Sequence, residues 1–397
     1  MASWSSSPQV EVQIQFGSEE KSRAIVHAPT YVGNEYITGT ATFNLREDYE
    51  GMRYKIAVKG VVQTTFTELP AGGLQSTSSV ETQTFLSATL FEGTRPAILA
   101  DNKRHIARVP FKFNRTDNHD SSSDSTRSSG HAFKHFLPSV DSKIASKHWS
   151  SNFKSGPDAQ YSVKYTITAT AVSERKRVFS ASRSFSYAPS IIDASPIALE
   201  DFPEEYVVRT TKAINKSSSS TARIGMISQE PRALVLQRSA ATGETDINLF
   251  LMLFRDGAIS FGKESLPKRA RIKAELRTTT IVMDRAGTPA AHTLPGALKT
   301  RAVIKQEKSF AQEYTLPLNQ WHCPDSESEG EHGTMTEEVL TNALHVPFKV
   351  SASRPLPTAF FSPLLSRRYA IDLALTFDDD NSTAVKLRLP LQIGYET

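Results

Sequence analysis

Four of the ten histidines, His119, His131, His135 and His148, fall in or beside a single stretch of the chain. Imidazoles at close spacing bind zinc or copper, or move protons near neutral pH. Here they are set among Ser, Asp, Asn, Thr and Arg with no period to hold a coordination geometry, so they read as solvated loop residues. His322-Cys323, beside Trp321, is a single pair without further ligands. Cys323 is the only cysteine, which rules out an intrachain disulfide and a multi-thiolate zinc site and points to a reducing compartment. Asp378-Asp379-Asp380-Asn381 offers oxygen ligands for calcium. Between two alternating runs, it reads more simply as a hairpin turn.

Catalytic spacings are equally sparse. A nucleotide site needs a glycine-rich turn whose N–H groups approach phosphate, and no such fingerprint occurs. The pentapeptide that exposes a hydrolase serine is Gly-X-Ser-X-Gly; Gly257-Ala258-Ile259-Ser260-Phe261-Gly262 has the wrong spacing. No catalytic, cofactor or metal residue is assigned, and the chain reads as a non-enzyme. A Ser/His/Asp triad on another fold is the remaining enzymatic alternative.

The basic clusters have a direct chemical use. Lys103-Arg104-His105, Arg175-Lys176-Arg177, and Lys268-Arg269 with Arg271 and Lys273, sit at strand ends or on a strand's polar face. Arg175, Lys176, Arg177, Lys268, Arg269, Arg271 and Lys273 are candidate contacts for anionic lipid headgroups or phosphate groups. The competing reading is an exposed edge kept charged against aggregation. No aromatic residues interleave with the clusters as base-stacking platforms, so nucleic acid is not an expected partner. The whole chain, with 46 Lys+Arg against 42 Asp+Glu, carries only +4. Ser121, Ser122, Ser123 and Ser125, with Ser326 and Ser328 in an acidic run, are candidate phosphorylation sites, where each phosphate would add about two charges.

The elements that must position these groups have a period of two. Val10-Glu11-Val12-Gln13-Ile14-Gln15-Phe16 puts apolar residues on one face and polar residues on the other, the mark of a half-buried strand. Similar runs, rich in Thr, Val, Tyr and Phe, cover 36–43, 54–66, 82–90, 106–113, 161–172 and 178–187. The pattern resumes at 232–236, 246–254, 270–283, 344–350, 369–377 and 385–393. Hardly any segment has the spacing of an amphipathic helix. With 397 residues and 39% hydrophobic content, the chain predicts an all-β protein of tandem antiparallel β-sandwiches.

A repeat supports the tandem. Val109-Pro110-Phe111-Lys112-Phe113, then Leu137-Pro138-Ser139, then Tyr161 opening an alternating run, reappear in order as Val346-Pro347-Phe348-Lys349-Val350, Leu356-Pro357-Thr358 and Tyr369. Proline cannot donate to a ladder and suits a strand edge or start. The expected domains are residues 8–195, with a polar insertion at about 116–157, and 196–397, with an acidic loop at about 325–336.

These signals, with Tyr36 to Phe43, Met52 to Gly60, Phe136 to Ser139 and Pro363-Leu364-Leu365, resemble the arrestin-like proteins of the fungal α-arrestin type. The resemblance spans about Val10 to Ile393 and implies two immunoglobulin-like sandwiches without catalysis. It further implies an adaptor that binds cytosolic segments of membrane proteins and connects them to endocytic trafficking or a ubiquitin ligase. The Pro-Pro-X-Tyr motif by which such adaptors engage WW domains is missing, because the chain has no Pro-Pro pair. Ligase contact is therefore expected only through a partner. An endosomal cargo-sorting coat subunit is a neighbouring reading. The rival class is an extracellular glycan- or protein-recognition sandwich, supported by sequons at Asn114, Asn215 and Asn381. No signal-peptide core, bilayer-length apolar run or lipidation motif occurs, so the expected location is the cytoplasm, with recruitment to the plasma membrane or endosomes.

Overall fold

The computed structural model describes residues 10–17, 28–33, 35–45, 52–68, 76–94, 97–101, 104–113, 137–144, 158–174, 176–188, 205–217, 220–237, 241–255, 266–285, 302–318, 321–322, 338–353, 356–377 and 380–396. Every regular element among them is a strand, so the all-β expectation holds. No helix among them is long and apolar enough to cross a membrane. The first half contains β1 (Val10–Phe16), β2 (Thr30–Val32), β3 (Ile37–Leu45), β4 (Arg53–Glu68), β5 (Thr77–Gly93), β6 (Ala97–Asp101), β7 (Arg104–Phe113), β8 (Val140–Ile144), β9 (Asp158–Val172) and β10 (Val178–Ala188). The second half contains β11 (Arg209–Ser217), β12 (Ser220–Ser228), β13 (Leu234–Leu236), β14 (Thr242–Arg255), β15 (Arg269–Met283), β16 (Ala302–Pro317) and β17 (Glu338–Ser351). It ends with β18 (Phe360–Phe361), β19 (Leu365–Phe377), β20 (Asp380–Leu391) and β21 (Ile393–Tyr395).

In the first half, one sheet runs β1-β3-β7-β6 and a second β2-β10-β9-β4-β5, with β8 also on β9. Alternation along β1, β3, β4, β7 and β9 sends Phe16, Phe43, Tyr54, Phe113 and Tyr165 into the space between them. The two layers meet through aromatic edges: Phe43 and Tyr54 have ring centroids 5.0 Å apart, and Phe16 and Phe185 lie 6.0 Å apart. Such pairs add about 0.5–1.5 kcal/mol each beyond the area they bury.

The second half repeats the pairings. One sheet runs β11-β12-β14-β17, another β16-β15-β19 with β18 and β20 on the far edge of β19, and β13 pairs with β21. Thus β4-β5 and β9 find counterparts in β15-β16 and β19. The edge of β9 is shared by β10 and β8, just as that of β19 is shared by β20 and β18. Even the parallel pairs correspond, β2 with β10 and β13 with β21. Pro110 lies opposite Thr40, past Arg108, the last residue that β6 reaches. Pro347 lies opposite Asp246 on β17, an outer strand. Each proline therefore sits where no ladder bond is needed on its open side.

Tyr369 corresponds to Tyr165, not to Tyr161. The Tyr165 hydroxyl donates to the Leu137 carbonyl at 2.6 Å, and that of Tyr369 donates to the Pro357 carbonyl. Both tyrosines of the first half point to the same face, four residues apart, and periodicity alone cannot choose between them.

The halves share apolar packing. Val282, Val303, Leu364 and Leu365 belong to the first core, and Val32 to the second. The buried Thr64 hydroxyl, on β4, donates to the Met283 carbonyl at 3.0 Å.

Candidate functional site

Along β15 the sequence Arg269-Ala270-Arg271-Ile272-Lys273-Ala274-Glu275-Leu276-Arg277 alternates strictly, with the even positions buried. The odd positions therefore share the outer face of the sheet. Pairing sets Glu275 opposite Asp372 on β19, and Asp372 opposite Arg388 on β20. Past a bulge, Arg277 faces Lys308 on β16.

These groups form one ionic network. The Arg277 Nε donates to both Asp372 oxygens, at 3.1 and 2.9 Å, and its Nη1 donates to Gln306 at 2.8 Å. Arg388 Nε reaches Asp372 Oδ1 at 3.0 Å. Lys308 Nζ bridges Glu275 at 2.7 Å and Asp372 at 3.2 Å. Burial pushes the Asp372 carboxyl up, but hydrogen bonds and charge from Arg277 and Arg388 outweigh it and hold the group below its ordinary value. Hydrogen bonds from Lys308 and Lys273 hold Glu275 down, and its bond to Glu275 raises Lys308 in turn.

The chain between the halves runs along the edge of β20 beside this network. Val207 bridges to Arg388, and Glu205 pairs with Arg368 at 3.0 Å. Burial raises the Glu205 carboxyl, and Arg368 and Arg388 offset this only in part. Burial, and then the adjacent Glu205, push the Tyr206 hydroxyl up.

Of the cations singled out from the sequence, Lys268, Arg269, Arg271 and Lys273 are exposed at one end of this face. Lys273 is held by Glu275 at 2.9 Å. The residues directly opposite Arg271 are Thr315 and Thr376. Lys386, exposed on β20, lies opposite Ala374, itself opposite Lys273. Lys268, Arg269, Arg271 and Lys386 thus gather at this end of the face, with Glu313 opposite Lys273 on β16. Lys176 and Arg177 are exposed at the tip of the β9–β10 hairpin, where Lys176 adopts φ 59° and its N–H donates to Ser173 O at 2.8 Å. That tip belongs to a different sheet, so pairing does not join the two cation patches.

Arg175, Lys103, the serines Ser121, Ser122, Ser123, Ser125, Ser326 and Ser328, Cys323, the four clustered histidines and the Gly257 to Gly262 stretch lie outside the described residues. Phe377 pairs with Asp380 at the β19–β20 connection, and Asp378-Asp379 lie outside the described residues. Among the described residues, no three His, Cys, Asp or Glu side chains are grouped to hold a metal ion. The network of Arg277, Lys308, Asp372 and Arg388 was not anticipated. Its directly bonded members are up to 95 residues apart, and only strand register brings them together.

No family model matches the chain, and no curated protein matches it.

Proposed function

We propose that the protein is an arrestin-like adaptor of the cytoplasm. It binds extended cytosolic segments of membrane proteins and links them, through a partner, to endocytic trafficking or ubiquitin-ligase machinery. The observation that carries this reading is the repeat of one set of strand pairings in both halves, with long outer strands that are natural templates for an added strand.

The two long outer strands differ. In β16 the edge is broken by a bulge near Ser309 and by Phe310 at φ 52°. The Gln312 side chain turns to the neighbouring layer and accepts from Lys349 N–H at 3.1 Å. By contrast β5 runs 17 residues with no Lys, Arg or Pro and pairs only with β4 among the described residues. In this reading β5 takes the cargo segment by backbone pairing, while Lys268, Arg269 and Arg271 favour encounter with anionic membrane. Proximity labelling in cells tests it: membrane proteins and trafficking factors are the expected neighbours. A neighbour set made only of soluble metabolic enzymes would refute it.

A further inference from the structure

A cleft of about 560 Å³ opens where the halves meet, lined from the first half by Ser139 to Ser142 and from the second by Phe310, Ser351 to Ser353, Leu356, Pro357 and Arg367. Its polar groups are unevenly satisfied. Asp141 is paired with Lys164 at 3.2 Å, and Ser139 Oγ already accepts from the Tyr187 N–H at 2.9 Å. Arg367 is the exception. It lines the cleft without an ion pair among the described residues; its guanidinium lies 5.6 Å from the Tyr369 ring centroid and hydrogen-bonds the Tyr369 hydroxyl. A guanidinium at the cleft without a carboxylate is an uncompensated charge, and its fork of N–H donors matches an oxyanion. Val140, Phe310 and Leu356 give the same cleft an apolar wall.

We propose that this cleft binds a small organic anion, with a phosphate or carboxylate head on Arg367 and an apolar body against Val140, Phe310 and Leu356. Ser142 and Ser353 line the cleft as further donors. The ligand bridges the two halves and so stabilises them in contact, by mass action on the docked state. The inference is independent of the adaptor reading, because it uses neither a strand edge nor the β15 cations.

The test is calorimetric titration of the full chain with phenyl phosphate, benzoate and inorganic phosphate, with thermal unfolding in parallel. Phenyl phosphate or benzoate is expected to bind one to one in the millimolar range or tighter, and whichever is preferred identifies the head group. Inorganic phosphate, lacking the apolar body, should bind more weakly. Arg367→Ala should weaken binding about 10- to 100-fold, the worth of hydrogen bonds to a charged group, and should remove the rise in Tm. Arg367→Lys should recover only part of the affinity, because a point charge lacks the fork. Ser353→Trp, which fills the cleft and leaves Arg367 in place, should block binding even if Arg367→Ala fails to fold. Absence of saturable binding by all three probes, or unchanged affinity in a folded Arg367 variant or in Ser353→Trp, overturns the proposal.

Discussion

Tyr165 and Tyr369 make the same kind of hydrogen bond in the two halves of the chain. Each sits on the central strand of its sheet and donates its hydroxyl proton to a backbone carbonyl of a Leu-Pro segment, Leu137 in one case and Pro357 in the other. Burial pushes both hydroxyls up, Tyr369 to about 12, so both remain protonated donors across the physiological range. Tyr165→Phe and Tyr369→Phe each remove the donor and leave a carbonyl without a partner. Each should cost about 1–2 kcal/mol, and denaturant midpoints of the two variants should fall by similar amounts.

Asp372 governs the acid limb of stability. Its folded carboxyl titrates below the ordinary value of 3.8, so its contribution is complete above that value and is lost as pH falls through the folded pKa. Asp372→Asn leaves Arg277 and Arg388 without their carboxylate. The expected loss at neutral pH is about 2–3 kcal/mol, short of the figure for a fully buried pair. Below about pH 4 the gap between variant and parent should narrow. Urea unfolding from pH 2 to 7 measures both features.

Two glycines should respond differently to alanine. A Cβ on Gly39 would lie 2.4 Å from the Gln15 carbonyl oxygen and 2.3 Å from the Phe111 ring. At Gly60 the nearest atoms, 2.7 Å away, belong to the Phe85 side chain. Backbone yields less readily than a ring. Gly39→Ala should therefore cost about 2–3 kcal/mol and Gly60→Ala less, as overpacking does, and thermal melts of the two variants rank them.

Charge reversal at Lys268, Arg269 and Arg271 should reduce binding to phosphatidylserine vesicles by about 100-fold, taking about 1 kcal/mol per cation at the surface. Sedimentation at two salt concentrations checks it, because added salt should weaken parent binding and leave the variant little changed. Equal sedimentation of both proteins would remove the membrane role and leave the adaptor reading to the labelling experiment.

Strands that alternate cleanly were legible from the order of apolar and polar residues: β1, β4, β9, β15 and β19 stand where the period of two places them. β16 carries no clean period of two, because Gln306, Glu307 and Lys308 are exposed in succession before the bulge. β5 extends beyond the expected 82–90 to Thr77–Gly93; its first residues are exposed on both faces, so burial leaves no pattern there. The β15 cations could be read as an outward row, since apolar residues mark the other face. Their carboxylate partner on β19 could not, because which residue of β19 stands opposite Glu275 is decided by register. Arg367 was hidden for the same reason: nothing near it in sequence says that Ser139 to Ser142 will close over it.

The seam of Val282, Val303, Leu364 and Leu365 within the first core, bound also by Thr64 to Met283, makes the molecule indivisible in practice. A chain cut between β10 and β11 would bare greasy surface on both fragments, and neither should behave as a tractable monomer. Mixed together, the fragments should recombine, because each carries the missing wall of the other's interior.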